Sequence, residues 1–272
     1  MPAQLAVERA RWGMLRRHPV AAYFLITFGI SWAGALAVAG PSLIRHTAMP
    51  PLSGILIFPA MLLGPMASGI LMTRALDGAP GIRSLMKSMI RWRVAPGWYA
   101  ALLLPPVLIL LVLNVLARTT SAAFAPNHFW LGVAFGVPAG ICEEVGWMGF
   151  AFPKMTPGRS SLQAGLALGI LWSLWHLPAI NFLGASAPHG RFWFEYFLAF
   201  MFVMTAMRLL IVWIYTNTGS VPLAQLMHIS STGALIVLSP ALASAQEALW
   251  YAVYGCALWT VVLIIAARGG QH

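Results

Sequence analysis

Two adjacent carboxylates stand where carboxylates are costly. Glu143 and Glu144 lie inside the apolar run Gly132-Val133-Ala134-Phe135-Gly136-Val137-Pro138-Ala139-Gly140-Ile141-Cys142-Glu143-Glu144-Val145-Gly146-Trp147-Met148-Gly149-Phe150. The other four acids, Glu8, Asp77, Glu195 and Glu247, fall near span ends or in loops. The seven histidines divide in the same way. His18, His46, His128, His189 and His272 sit in loops or at ends, where solvation explains them. His176 closes Trp172-Ser173-Leu174-Trp175-His176, and His228 lies inside Gln225-Leu226-Met227-His228-Ile229-Ser230-Ser231-Thr232. A charged carboxylate at mid-bilayer costs ~3 kcal/mol on insertion scales, so an intramembrane acid marks a task and a partner.

Carboxylate plus imidazole is equipment for activating water. A glutamate can take a proton from water while a histidine orients that water or binds a metal. A second histidine, with a hydroxyl one turn on, can donate to a developing oxyanion. The same groups could also form a proton relay or a buried structural pair. Neighbours on a helix point about 100° apart, so Glu143 and Glu144 cannot share one role: one can face a cavity while the other meets an adjacent helix. His228 and Thr232 share a face, as do Trp172 and His176. Gly146 and Gly149 thin the helix after the acids.

Other signatures are missing. There is no His-Glu-x-x-His helix, no Gly-x-Gly-Asp and no intramembrane aspartate. Gly64-Pro65-Met66-Ala67-Ser68-Gly69 reads as a small-residue packing face. The two cysteines offer neither a disulfide framework nor a CxxC site, and Cys142 reads as a small packing residue.

The elements that hold these residues must be membrane helices. Only 8% of 272 residues are charged and 60% are hydrophobic, with 12 Trp and 14 Phe, which excludes both a water-soluble globule and a disordered chain. Eight stretches approach the ~20 residues that cross a bilayer: about Val20–Ala39, Leu52–Thr73, Trp98–Leu116, Trp130–Phe152, Leu162–Ile180, Phe192–Tyr215, Pro222–Leu238 and Ala248–Ala267. The runs are continuous rather than alternating, so an all-α polytopic bundle of about eight transmembrane helices is expected. Residues 1–272 read as a single integral membrane domain with a basic cytoplasmic segment at 1–19. Ile82, Leu85, Met86, Met89 and Ile90 recur at helical spacing among Arg83, Lys87, Arg91 and Arg93. That pattern predicts a cytoplasmic amphipathic helix over Gly81–Arg93, anchored by Trp92.

The formal charge of +10 would suggest nucleic acid in a soluble chain, yet no nucleic-acid motif is present. If every span crosses, Arg9, Arg11, Arg16, Arg17, Arg74, Arg83, Lys87, Arg91, Arg93, Lys154, Arg159 and Arg268 fall on one side, with Arg45, Arg118 and Arg191 on the other. The expectation is a protein of the bacterial cytoplasmic membrane with both termini cytoplasmic. The first span ends in Ala37-Val38-Ala39 like a signal peptide, but its longer apolar run argues that it is retained.

Three motifs in order carry a family resemblance. Glu143-Glu144-Val145-Gly146-Trp147-Met148, Trp172-Ser173-Leu174-Trp175-His176 and His228-Ile229-Ser230-Ser231-Thr232 resemble the Glu-Glu-x-x-x-Arg, aromatic-x-x-x-His and His-x-x-x-Asn motifs of the CPBP family, which joins CAAX-type prenyl proteases to bacteriocin-processing and bacteriocin-immunity proteins, also called Abi. The motif core is about 130–238. The resemblance implies an intramembrane endopeptidase acting on membrane-associated peptide or protein. Glu143 would be the general base, His176 would position water or a metal, His228 with Thr232 would stabilise the oxyanion, and Glu144 would be structural. Family members are often called metalloproteases. A zinc held by His176, His228 and Glu143, or a metal-free Glu/His mechanism, both fit the residues. Two positions depart from the pattern: Met148 stands for Arg and Thr232 for Asn. Arg208, inside span six with no local acid, is the expected substitute partner of Glu144. The alternative is a weak or inactive member serving bacteriocin immunity or membrane binding; a proton-coupled carrier lacks the internal repeats it would want.

Overall fold

The computed structural model describes residue 13 and the segments 15–183 and 190–269. Both basic residues before Arg16, Arg9 and Arg11, together with His189 and His272, lie outside them. The described residues form an all-α bundle without strands. We label the long helices α1 (Pro19–Ile44), α2 (Pro51–Met89), α3 (Gly97–Thr119), α4 (Val133–Gly146), α5 (Ser161–Trp175), α6 (Trp193–Thr218), α7 (Val221–Leu238) and α8 (Ser244–Gly269). Seven of the described helices are long and apolar enough to cross a membrane.

The fourth apolar stretch differs from the continuous span expected of it. A 3₁₀ turn, Trp130–Gly132, leads into the 14 residues of α4. A π-helical turn, Trp147–Ala151, and the short helix Phe152–Met155 follow. Single π turns inserted in α-helices are rare and concentrate at functional sites; this one begins three residues after Glu144. The amphipathic helix also has different bounds. Gly78, at φ 65° and ψ −153°, breaks α2, and the helix that resumes ends at Met89, leaving Arg91, Trp92 and Arg93 outside. The chain is pinned there by a tertiary contact: the Ser220 hydroxyl donates to the Arg91 carbonyl at 2.6 Å.

Helix α6 is central. Of its most apolar stretch 72% is buried, against 28% in α1, α3 and α8. Gly219 ends α6 in the left-handed region at φ 61°, where a residue without Cβ is at ease. Ser220 then caps α7, its hydroxyl accepting from the Leu223 amide at 3.1 Å. The resulting two-residue turn sets α6 and α7 side by side. Arg208 lies about 16 Å before Gly219 and His228 about 14 Å after it, at ~1.5 Å per residue, so the two stand at nearly one depth.

Close backbone approach brings the acid-bearing helix to the same place. A Cβ on Gly140 would lie 2.7 Å from the Gln225 carbonyl oxygen, and one on Gly136 would lie 2.8 Å from the Cα of Gly233. Helices α4 and α7 therefore touch along two glycines of α4. On the opposite flank, a Cβ on Gly69 would lie 2.8 Å from the Cα of Gly146, so the small-residue face of α2 packs on the end of α4. A bulky side chain at Gly140 has no space to enter. Gly140→Leu is expected to cost about 1–3 kcal/mol by overpacking and to lower the thermal midpoint of the purified protein, whereas Gly29→Leu, with open space around its Cα, leaves it unchanged; differential scanning fluorimetry in detergent measures both.

Candidate active site

Glu144 is fully buried, and its carboxylate is fully occupied. Nη1 of Arg208 donates to Oε1 at 2.9 Å and to Oε2 at 2.8 Å. Oε1 also accepts from Nδ1 of His228 at 2.7 Å. Arg208 is as deeply buried as its partner. The cation that the local sequence lacks at Met148 thus arrives from α6, while Met148 itself is a buried apolar residue. Isolated charges in a low-dielectric interior cost several kcal/mol each; here each is met by an opposite charge with hydrogen bonds.

Glu143 faces a different set of partners, as its 100° offset requires. Its Oε2 accepts from the indole N–H of Trp147 at 3.1 Å and from that of Trp172 at 2.7 Å. Its Oε1 accepts no hydrogen bond among the described residues. One oxygen is therefore fixed and the other is left to act on a proton.

His176 follows the last residue of α5. Its Nδ1 lies 2.7 Å from the Trp172 carbonyl oxygen. A carbonyl only accepts, so Nδ1 carries the hydrogen and Nε2 of the neutral ring presents a lone pair. The carbonyl is one of the four that a helix end leaves without a partner. His228 is held in the same manner: Nδ1 donates to Glu144, and Nε2 points to the other side of the ring.

Trp172 joins these groups. Besides its hydrogen bond to Glu143, its ring centroid lies 5.3 Å from that of His176 and 5.1 Å from that of His228, both edge-on. The Arg208 guanidinium carbon sits 4.0 Å from the ring centroid. An indole offers a positive edge and a negative face; its N–H meets the anion and its face the cation. Around this hub, Trp147 packs edge-on against Trp175 at 5.8 Å and stacks on Phe24 at 5.9 Å.

Four of the five expected catalytic side chains are therefore gathered: Glu143, Glu144, His176 and His228. Thr232 lies one turn beyond His228 on α7, half-buried, and its hydroxyl makes no hydrogen bond among the described residues. Cys142 is a half-buried free thiol. The roles of the two indole donors were not legible beforehand, although Trp147 shares a helix face with Glu143 at a spacing of four. Nor was the His228–Glu144 hydrogen bond. No three His, Cys, Asp or Glu among the described residues are grouped as a metal site requires. Glu143, His176 and His228 are near one another, each with one polar atom held by a protein partner and the other without one, a set that can hold a water; the scheme below uses the residues alone.

Removing either member of a buried ion pair leaves the other charge uncompensated, at about 3–5 kcal/mol. Arg208→Met is expected to abolish recovery of folded protein, and adding Glu144→Gln, which removes the stranded charge, restores most of it. Yield of monodisperse protein after gel filtration measures both.

Comparison with known proteins supplies an independent line. Residues 125–234 match the family model described as type II CAAX prenyl endopeptidase Rce1-like. The chain is 32% identical over 142 residues to CAAX prenyl protease 2 of Methanococcus maripaludis, an alignment covering 47% of this chain and 51% of that protein. The chain thus spans about half the length of the curated relative it matches. Both Glu143–Glu144 and the His176 and His228 motifs lie inside the matched segment.

Proposed function

We propose that this chain is a CPBP-family member, on the strength of its Rce1-like segment, and an intramembrane endopeptidase that hydrolyses peptide bonds with a glutamate-activated water. The observation that carries this reading is the convergence of Glu143, His176 and His228 on one indole, that of Trp172.

The residues divide the work as follows. Glu143 takes a proton from water through Oε1 while the two indole N–H groups hold Oε2 still. The Nε2 lone pair of His176 accepts the water's second hydrogen and aims the oxygen at the scissile carbonyl. Attack makes a tetrahedral oxyanion, and Nε2–H of His228 in its imidazolium form, with the Thr232 hydroxyl, donates to it. Glu143 then passes its proton to the departing amine. Glu144 and Arg208 touch no reacting atom in this scheme. They fix the His228 ring and its proton. A peptide segment of a membrane-associated substrate would enter from the lipid. The relative is named for CAAX substrates, and such substrates are one class to assay here.

Glu143→Gln keeps the volume and a hydrogen-bond acceptor for both indoles but cannot take a proton. It is expected to reduce cleavage by at least ~10²–10⁴-fold, the usual worth of general base catalysis, with the thermal midpoint unchanged. Cleavage in Glu143→Gln at the wild-type rate would leave the binding or immunity role as the better reading. Because no step uses a metal, exhaustive chelation followed by desalting should leave the rate of the wild type intact, with elemental analysis reporting less than one equivalent of zinc per chain throughout. The measurement is a peptide-release assay in detergent or proteoliposomes.

A further inference from the structure

We propose that the end of the bundle where α1 begins holds one anionic phospholipid, its headgroup phosphate against Arg17, Lys154 and Arg159 and an acyl chain along Phe24, Leu25 and Phe28. A cavity of about 730 Å³ lies there, lined by these side chains together with Leu171 of α5. Its size falls within the ~300–1,000 Å³ of sites that hold organic ligands.

Charge is the first argument. Arg17, Lys154 and Arg159 come from three separate places in the chain: the approach to α1, the short helix Phe152–Met155 and the turn before α5. They meet in one cavity with His18, and Arg16 borders the adjoining one. The acid facing them is Asp77, 2.9 Å from the Lys154 ammonium. Arg17 and Arg159 meet no acid among the described residues. A cluster of bases converging from separate elements is an anion site without its anion.

The apolar wall is the second argument, and it decides between a lipid and a free phosphate. Ala21, Phe24, Leu25 and Phe28 stand at i, i+3, i+4 and i+7, so they share one face of α1. From Pro19 to Phe28 this face descends about 14 Å at ~1.5 Å per residue. That is close to one leaflet's half of the ~30 Å hydrocarbon core. Phosphate alone has no use for such a wall, whereas an acyl chain attached to the phosphate lies along it. Basic pockets between membrane helices suit anionic headgroups for this reason.

The proposal is independent of peptide hydrolysis, and its readout involves none. Purified protein is titrated with phosphatidylglycerol and, separately, phosphatidylcholine, and bound lipid is counted by native mass spectrometry. One phosphatidylglycerol per chain is expected to survive detergent removal in the wild type. The variant carrying Arg17→Gln, Lys154→Gln and Arg159→Gln should bind it at least about tenfold more weakly. Ala21→Trp, which fills the groove and keeps every charge, should also bind it more weakly. A control with Arg83→Gln, Lys87→Gln and Arg93→Gln makes the same charge change outside the cavity and should bind like wild type. Equal retention in the cavity triple variant, equal loss in the control, or undiminished binding by Ala21→Trp with displacement by inorganic phosphate would each overturn the proposal.

Discussion

A buried carboxylate, Glu144, must be neutralised from within the protein, because lipid offers it nothing. The rest of the site is arranged around that requirement. Arg208 supplies the charge through two contacts of 2.9 and 2.8 Å, and His228 supplies a hydrogen bond of 2.7 Å. Each contact comes from a different helix, α6 or α7, so the ion cluster ties three helices together at one depth. Replacing such a cluster by apolar residues can leave stability unchanged or improve it. Its retention here is better explained by what it orients: the ring of His228 and, through the face of Trp172, the acid beside it.

The aromatic side chains serve the charges rather than merely filling space. Trp172 meets an anion with its N–H and a cation with its face, and its edge contacts bring two imidazoles within reach. Trp147 adds the second N–H to Glu143 and is itself clamped by Phe24 and Trp175. A glutamate flanked by two indole donors has one oxygen immobilised without being neutralised, which an arginine partner could not achieve. The two adjacent acids thus have opposite surroundings, ionic for Glu144 and aromatic for Glu143, and that contrast follows from their angular offset on one helix.

Much of this was legible in the sequence, and the reasons are physical. Scarce charge and continuous apolar runs allow only helices, and intramembrane acids and histidines are expensive enough to stand out. Arg208 was identifiable as the partner of Glu144 because each lacked any local counter-charge. The indole donors were hidden, since a tryptophan in a membrane helix is ordinary and its N–H direction depends on the packing of other helices. The π turn at Trp147–Ala151 was hidden as well: the apolar run continues through it without a proline, and the turn begins just after Gly146 packs on α2, a contact no local pattern announces. Just past the end of the amphipathic helix at Met89, the Arg91 carbonyl is held by Ser220, 129 residues further along, a contact no local pattern can announce.

The distance in sequence between Glu144 and Arg208, 64 residues, has a consequence for biogenesis. A counter-charge one turn away would enter the bilayer together with its acid. Here α4 is made with two acids, only 14 regular helical residues and no cation of its own, while its partner is still unsynthesised. Such a segment inserts poorly by itself. Its buried acid meets its counter-charge only once α6 is complete. The placement of a single arginine therefore decides how late in synthesis the charge of α4 can be neutralised within the chain.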